Sequence, residues 1–311
     1  MGAPTNTETS DSGLAEAFRS FLTRCSFDWP RRPFDTAFYE LAIQESNRRG
    51  VTSTSKGASK YFGPCLRCGV SMATASYEHL ENKETIMLIC LFVSGTLYID
   101  DVDPSIPEDR QNVEKFTDRF VSGQAQPEPV LTLLAGVLRD MYNHFGRVEA
   151  NGIVTSGLNL YNSVLLEIRS RELQIEVTEP AYASFYRNMS GATDAFSFFM
   201  FPSVPMSDYI QAMPDLAIVL NYTNDILSFY KEEVQGDEVN CVTLLANGRK
   251  ISKLDAVNVL IDDCVKAHQN IVRILAPSKE ASEVYHKWMQ GYFGFHVYAE
   301  RYRLNELGFW A

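Results

Sequence analysis

Several things are missing from this chain, and each omission narrows what it can be. No basic run or basic-aromatic interleaving occurs, and the 311 residues carry a net charge of −11 with a pI near 5.0. A nucleic-acid footprint is therefore excluded, because phosphate backbones are held by clustered Lys and Arg. The longest apolar run, 86–93, falls far short of the roughly 20 residues that span a bilayer. The segment Met1 to Gly13 lacks a basic start and an apolar core, so no signal peptide is expected there. No two Val/Ile/Thr-rich runs are joined by a hairpin turn, and no repeat is visible. The six cysteines include a lone Cys65-x-x-Cys68 with no second pair to complete a zinc set. Buried thiols in a soluble, cytoplasmic protein are the expectation.

What remains is helical. Apolar residues recur at helical spacing over Leu14–Cys25, Phe34–Arg49, Ser71–Leu80, Pro127–Phe145, Thr155–Glu176, Tyr182–Gly191, Val242–Ala246, Ser252–Leu275 and Glu280–Leu307. Thr85–Asp101 would suit a buried strand by composition, but its length favours a helix. Met206–Gln235 is read as helix, its most regular part being the stretch from Asp215 on, which has neither Pro nor Gly. Residues 1–12 read as a disordered tail and 13–311 as one all-α bundle.

The stretch 221–233, NYTNDILSFYKEE, organises the rest. Asn224, Ser228 and Glu232 are spaced four and four, so a helix stacks them on one face over two turns. An amide oxygen, a hydroxyl and a carboxylate form a hard-oxygen set suited to Mg²⁺ or Mn²⁺. A solvated polar stripe is the competing reading. Against it, Leu216, Ile218, Val219, Leu220, Ile226, Leu227 and Phe229 make the helix apolar nearly all round. A buried polar stripe needs a partner. A second acidic group, Asp100-Asp101-Val102-Asp103, ends the apolar segment before Pro104. Carboxylates there repel one another and oppose the helix dipole unless a cation binds; an acidic cap before a loop is the plainer alternative.

The string Asn224-Asp225-x-x-Ser228-x-x-x-Glu232 matches the (N/D)DxxSxxxE metal motif of class I terpene cyclases, and the fuller NDILSFYKE resembles the trichodiene synthase-like, fungal sesquiterpene synthase family. Asp100-Asp101 stands where that family carries its DDxxD motif, with a departure: the third aspartate, Asp103, is one place early and Pro104 takes its position. The resemblance implies an all-α class I terpenoid synthase bundle around a central active-site cavity. It implies Mg²⁺, three ions, bound by Asp100 and by Asn224, Ser228 and Glu232, with Asp101 and Asp103 as further candidate ligands. It implies a prenyl diphosphate substrate gripped by Arg187, Lys231, Arg301 and Tyr302, and a helix break at Gly191. Phe92, Tyr98, Phe196, Tyr222, Trp288, Tyr292 and Phe295 flank the motif segments and are candidate pocket walls, though for each one taken singly core packing is the plainer role. Farnesyl diphosphate is the expected substrate. Geranyl diphosphate, a chain-elongating prenyltransferase and a non-catalytic isoprenoid-binding protein are the alternatives; a homodimer is compatible with all of them.

Overall fold

The computed structural model describes residues 11–28, 30–52, 62–100, 106–174, 179–237 and 240–310. Asp101 and Asp103 lie outside these residues, as do 1–10 of the expected tail. Asp11 and Ser12, expected in that tail, instead open the first helix, with Asp11 at its favourable N-terminal turn.

The helices run in chain order as α1 (Asp11–Arg24), α2 (Thr36–Arg48), α3 (Gly63–Ser76), α4 (Lys83–Asp100), α5 (Pro107–Glu114), α6 (Phe116–Val121), α7 (Pro129–His144), α8 (Arg147–Glu172), α9 (Pro180–Ser190), α10 (Thr193–Phe198), α11 (Met206–Tyr209), α12 (Met213–Gln235), α13 (Cys241–Arg249), α14 (Lys253–Leu275) and α15 (Lys279–Tyr298). No strand occurs among the described residues. The segment that composition left open between helix and strand is α4, with thirteen of its eighteen residues buried. Two expected helices are shorter. Pro214 fits only a first turn, so the Met206–Gln235 segment divides into α11, a 3₁₀ turn and α12. The last segment stops at Tyr298 and continues as two 3₁₀ turns, Glu300–Tyr302 and Leu304–Leu307, with Arg303 left-handed between them (φ 60°).

α3 packs on α4, α4 on α7 and α8, α8 on α9 and α10, α10 on α12, α12 on α15, and α15 back on α3. The ring closes, with α1, α13 and α14 outside it against α12 and α9. Two close crossings depend on glycine. A Cβ on Gly291 of α15 would stand 1.9 Å from the Ala75 carbonyl of α3, and one on Gly69 of α3 would stand 2.6 Å from the Cys90 carbonyl of α4. Backbone cannot yield at those distances, so these two residues set how tightly the ring closes. Phe92, Phe196 and Phe199 pack inside with centroids 5.2–6.1 Å apart in edge contacts. No helix among the described residues is long and apolar enough to cross a membrane.

Candidate metal and diphosphate site

The motif helix α12 starts with Pro214 in its first turn and ends at Gly236, which takes φ 73° and donates its N–H to the Glu232 and Glu233 carbonyls. Its burial is as its composition predicts: Leu216, Val219, Leu220, Ile226, Leu227 and Phe229 are buried, and so is Ser228. Ser228 Oγ has no hydrogen-bond partner. It lies beside Glu232 without being aligned to donate to it. Burial pushes the Glu232 carboxyl above its ordinary value, while the Ser228 hydroxyl and the Lys231 charge act in the opposite sense. An orphaned hydroxyl between an amide oxygen and a destabilised carboxylate is what a hard cation would satisfy. The donor set therefore fits Mg²⁺ or Mn²⁺. Among the described residues no three His, Cys, Asp or Glu side chains gather at a metal-binding distance; the α12 set is a mixed amide, hydroxyl and carboxylate group.

Arg187, near the end of α9, reaches α12 at three points. Its Nη2 donates to Asn224 Oδ1 at 2.9 Å and to the Asn221 carbonyl at 3.4 Å, and its Nε lies 2.7 Å from Asp225 Oδ1. Both members of the Arg187–Asp225 pair are nearly enclosed, with side-chain exposures of 16% and 8%. Burial works against the guanidinium charge, but Asp225 and Glu232 hold Arg187 above its ordinary value. Burial also raises the Asp225 carboxyl, against the pull of Arg187. Asp225 Oδ2 is left buried with no hydrogen-bond partner. Directly after α9 the chain breaks at Gly191 and Ala192, and Ala192 takes the left-handed conformation (φ 47°) before α10. The break falls where the resemblance puts it. Gly191 itself has an ordinary φ of −78°; its need for glycine comes from Asn221, whose Oδ1 would be 2.0 Å from an added Cβ.

The C-terminal segment closes over the other side of Asn224. Asn224 Nδ2 lies 3.2 Å from His296 Nε2 and donates to the Tyr302 hydroxyl at 3.4 Å. Lys231 Nζ and the Arg301 guanidinium each stand 5.9 Å from the Tyr302 ring centre. Arg301 Nη1 is directed to Cys68 Sγ on α3, 3.7 Å away. His296 is fully enclosed. Burial, together with the Arg301, Arg187 and Lys231 charges and against a hydrogen bond to the Tyr292 carbonyl, pushes its imidazole down to about 3. Asp100 is the exposed last residue of α4. Its charge reaches α9, where burial, Glu167 and Asp100 in turn raise the Tyr186 phenol beside Arg187.

The aromatic candidates separate into groups. Phe92 and Phe196 line the interior together. Tyr98 is buried on α4 in edge contact with Phe62, 6.3 Å away. Trp288 stacks on Tyr292 at 4.8 Å, and the Tyr292 hydroxyl donates to the Leu220 carbonyl of α12. Phe295 meets Tyr302 edge-on at 5.6 Å. Tyr222 is placed differently. Two residues before Asn224, it falls on the far side of α12, because positions two apart on a helix do not share a face. There it lines a small cavity of about 210 Å³ with Cys241, Leu245 and Asp263. A second cavity, of about 1550 Å³, lies along α2, α3, α4 and α7 and meets the candidate residues at Phe295 and Arg301. Neither cavity is lined by Asn224, Ser228 or Glu232. Asp225 and His296 received no role from sequence. Asp225 stands in the motif itself, but nothing in one sequence pairs His296 with a residue 72 positions away.

Comparison with known proteins gives the family. The family model described as trichodiene synthase matches residues 45–308. The alpha-cuprenene synthase of Coprinopsis cinerea is 28% identical over 295 residues, covering 94% of this chain and 90% of its own. Monoterpene synthase 25 of Postia placenta is 28% identical over 255 residues, covering 81% and 76%. Among solved structures, the linalool/nerolidol synthase of Streptomyces clavuligerus, in complex with 2-fluorogeranyl diphosphate, superposes with a TM-score of 0.66 at 15% identity, over 88% of this chain and 98% of that one. The chain belongs to the trichodiene synthase family of terpene synthases.

Proposed function

We propose that this terpene synthase is a divalent-metal-dependent sesquiterpene cyclase that ionises farnesyl diphosphate and closes the resulting carbocation, releasing diphosphate. The observation that carries the metal reading is the orphaned Ser228 hydroxyl, buried between Asn224 and Glu232 on one face of α12. Asn224, Ser228 and Glu232 would hold one ion, and Asp100, from the end of α4, would take part in holding others; the resemblance implies three in all. Bound Mg²⁺ supplies positive charge against the leaving diphosphate. The chain's own residues do the rest. Arg187 and Tyr302, which touch Asn224, and Lys231 and Arg301, each 5.9 Å from the Tyr302 ring centre, would offer donors to diphosphate oxygens; the planar guanidinium forks suit two-point contacts. A stabilised leaving group lets the allylic C–O bond break. Apolar aromatic surface from Phe92, Phe196 and Phe199 excludes water and presents π-faces to the cation.

The resemblance to trichodiene synthase motivates the fifteen-carbon substrate. The likeness to a protein named as a monoterpene synthase favours testing the ten-carbon one beside it. The experiment is incubation with Mg²⁺ and farnesyl, then geranyl, diphosphate, with the volatiles separated by gas chromatography–mass spectrometry. A cyclic fifteen-carbon product from farnesyl diphosphate, formed more efficiently than any ten-carbon product, is expected. Turnover of geranyl diphosphate alone, elongation with isopentenyl diphosphate, or no turnover with any substrate would each replace the proposal by one of the alternatives.

A further inference from the structure

An asparagine side chain ends in two chemically opposite groups of nearly equal size. The oxygen can ligate a cation; the NH₂ group, a donor only, cannot. A metal-ligating asparagine must therefore have its amide turned one way. The surroundings of Asn224 decide which. His296 Nδ1 lies 2.8 Å from the Tyr292 carbonyl, one helical turn earlier on α15. A carbonyl only accepts, so Nδ1 carries the hydrogen; because the donor-only Arg187 takes Asn224 Oδ1, the amide NH₂ faces Nε2, which therefore presents a lone pair. That lone pair faces Asn224 Nδ2 at 3.2 Å and needs an N–H there. The amide NH₂ is thus held toward α15, and Oδ1 points the other way. On that side Arg187 Nη2 donates to it at 2.9 Å, and the Arg187 charge is felt by Glu232 as well. Arg187, a donor only, favours the same orientation, so His296 and Arg187 hold the amide from its two ends.

The imidazole has little freedom to turn. It is 1% exposed and packed between rings, with centroid distances of 4.4 Å to Tyr292, 4.7 Å to Tyr302 and 5.0 Å to Phe295. The Tyr302 hydroxyl cannot substitute for it, since a hydroxyl can donate or accept and would satisfy either amide orientation. We propose that His296 is a positioning residue: by accepting from Nδ2 it keeps the Asn224 amide turned so that Oδ1, rather than the NH₂ group, is offered to a divalent cation. This rests on the metal-site reading above. Partners in the shell behind a metal ligand commonly set its orientation, and their loss weakens metal binding without removing a ligand.

The test is a double-mutant cycle on Mn²⁺ affinity, titrated without substrate and followed by the disappearance of the free-ion electron paramagnetic resonance signal. His296→Phe keeps the packed ring and removes both nitrogens. Asn224→Asp replaces the two-faced amide by a carboxylate with an oxygen at either end. With asparagine at 224, His296→Phe is expected to weaken Mn²⁺ binding about tenfold, the lower end of what loss of an outer-shell partner costs. With aspartate at 224, the same change should cost less than about twofold, because no orientation remains to be fixed. Equal losses in the two backgrounds would overturn the proposal and leave His296 a packing residue. The aspartate background guards against a folding artefact, since a distorted site would lose Mn²⁺ affinity in both backgrounds alike and so give the overturning result. Asn224→Ala separates the two layers. If it leaves Mn²⁺ binding unchanged, the metal-site reading itself fails, whatever His296 does.

Discussion

On α12, both polar ends of the Asn224 side chain are already engaged, by Arg187 on one side and by His296 and Tyr302 on the other, and its neighbour Ser228 is buried. At the end of α4, Asp100 stands exposed on the last residue of its helix, where no basic residue occupies the final turn. Negative charge at that end opposes the helix dipole. The α12 side chains are held by neighbours, and Asp100 meets solvent. The difference argues for a division of labour. The α12 residues spend stability on a fixed side-chain geometry, whereas Asp100 stands at the exposed terminus of its helix.

Removing the metal should have the largest effect. Exhaustive EDTA treatment is expected to abolish turnover, with activity restored by Mg²⁺; full activity after chelation would dissolve the comparison altogether. Next comes a test of the α4 side alone. Asp100→Asn is expected to lower kcat/KM by at least about a hundredfold, more than loss of an outer-shell partner, and Asp103→Asn by less, because Asp103 is out of register with the family motif. A dead Asp103 variant beside an active Asp100 variant would move the ligand assignment. A smaller effect is expected at Tyr302. Tyr302→Phe removes one neutral hydrogen bond, worth about 0.5–1.5 kcal/mol, so about a tenfold loss of rate or less. Arg301→Lys keeps the charge but loses the planar fork and should cost more, with a broader product mixture. If Arg301→Lys matches the parent in rate and products, Arg301 has no part in gripping the diphosphate.

The smallest effect concerns stability, and it separates the two regions. Burial raises the Glu232 carboxyl above its unfolded value. The folded protein therefore binds the proton more tightly, and Glu232 costs metal-free stability as pH rises from about 4 through the raised value. Above that window, Glu232→Gln should raise the melting temperature of the metal-free protein by about 1–4 °C; below it the two proteins should melt alike. Asp100→Asn, at an exposed position, should leave melting nearly unchanged at either pH. A Glu232→Gln variant that melts lower than the parent at neutral pH would show that the carboxylate stabilises the empty site.

The parts of this site that were legible in sequence are those whose signal is local. The four-residue spacing of Asn224, Ser228 and Glu232 needs only a helix to bring them together, and the apolar residues between them announce that the helix is buried. The break after Ser190 was marked by Gly191 within a matching segment, though the left-handed residue is Ala192. Long-range contacts were not legible. His296 lay inside a segment whose Arg301 and Tyr302 drew attention, yet its bond to Asn224 depends on how α15 crosses α12. Tyr222 stands apart for the opposite reason: it is close to Asn224 in sequence, but residues two apart on a helix face different sides. The short helices α5, α6 and α10 carry too little periodicity to stand out, and Pro214 was a stop signal inside a segment read as continuous.

The claim that most of this account depends on is that Asn224, Ser228 and Glu232 act on one ion as a unit. Steady-state kinetics of Asn224→Ala, Glu232→Ala and the double variant test it directly. If the two side chains share an ion, each single change lowers kcat/KM and the double change costs much less than the product of the two losses, because the second ligand has little left to hold. Losses that multiply in full would mean the residues work independently, and the shared metal site on α12 would have to be abandoned.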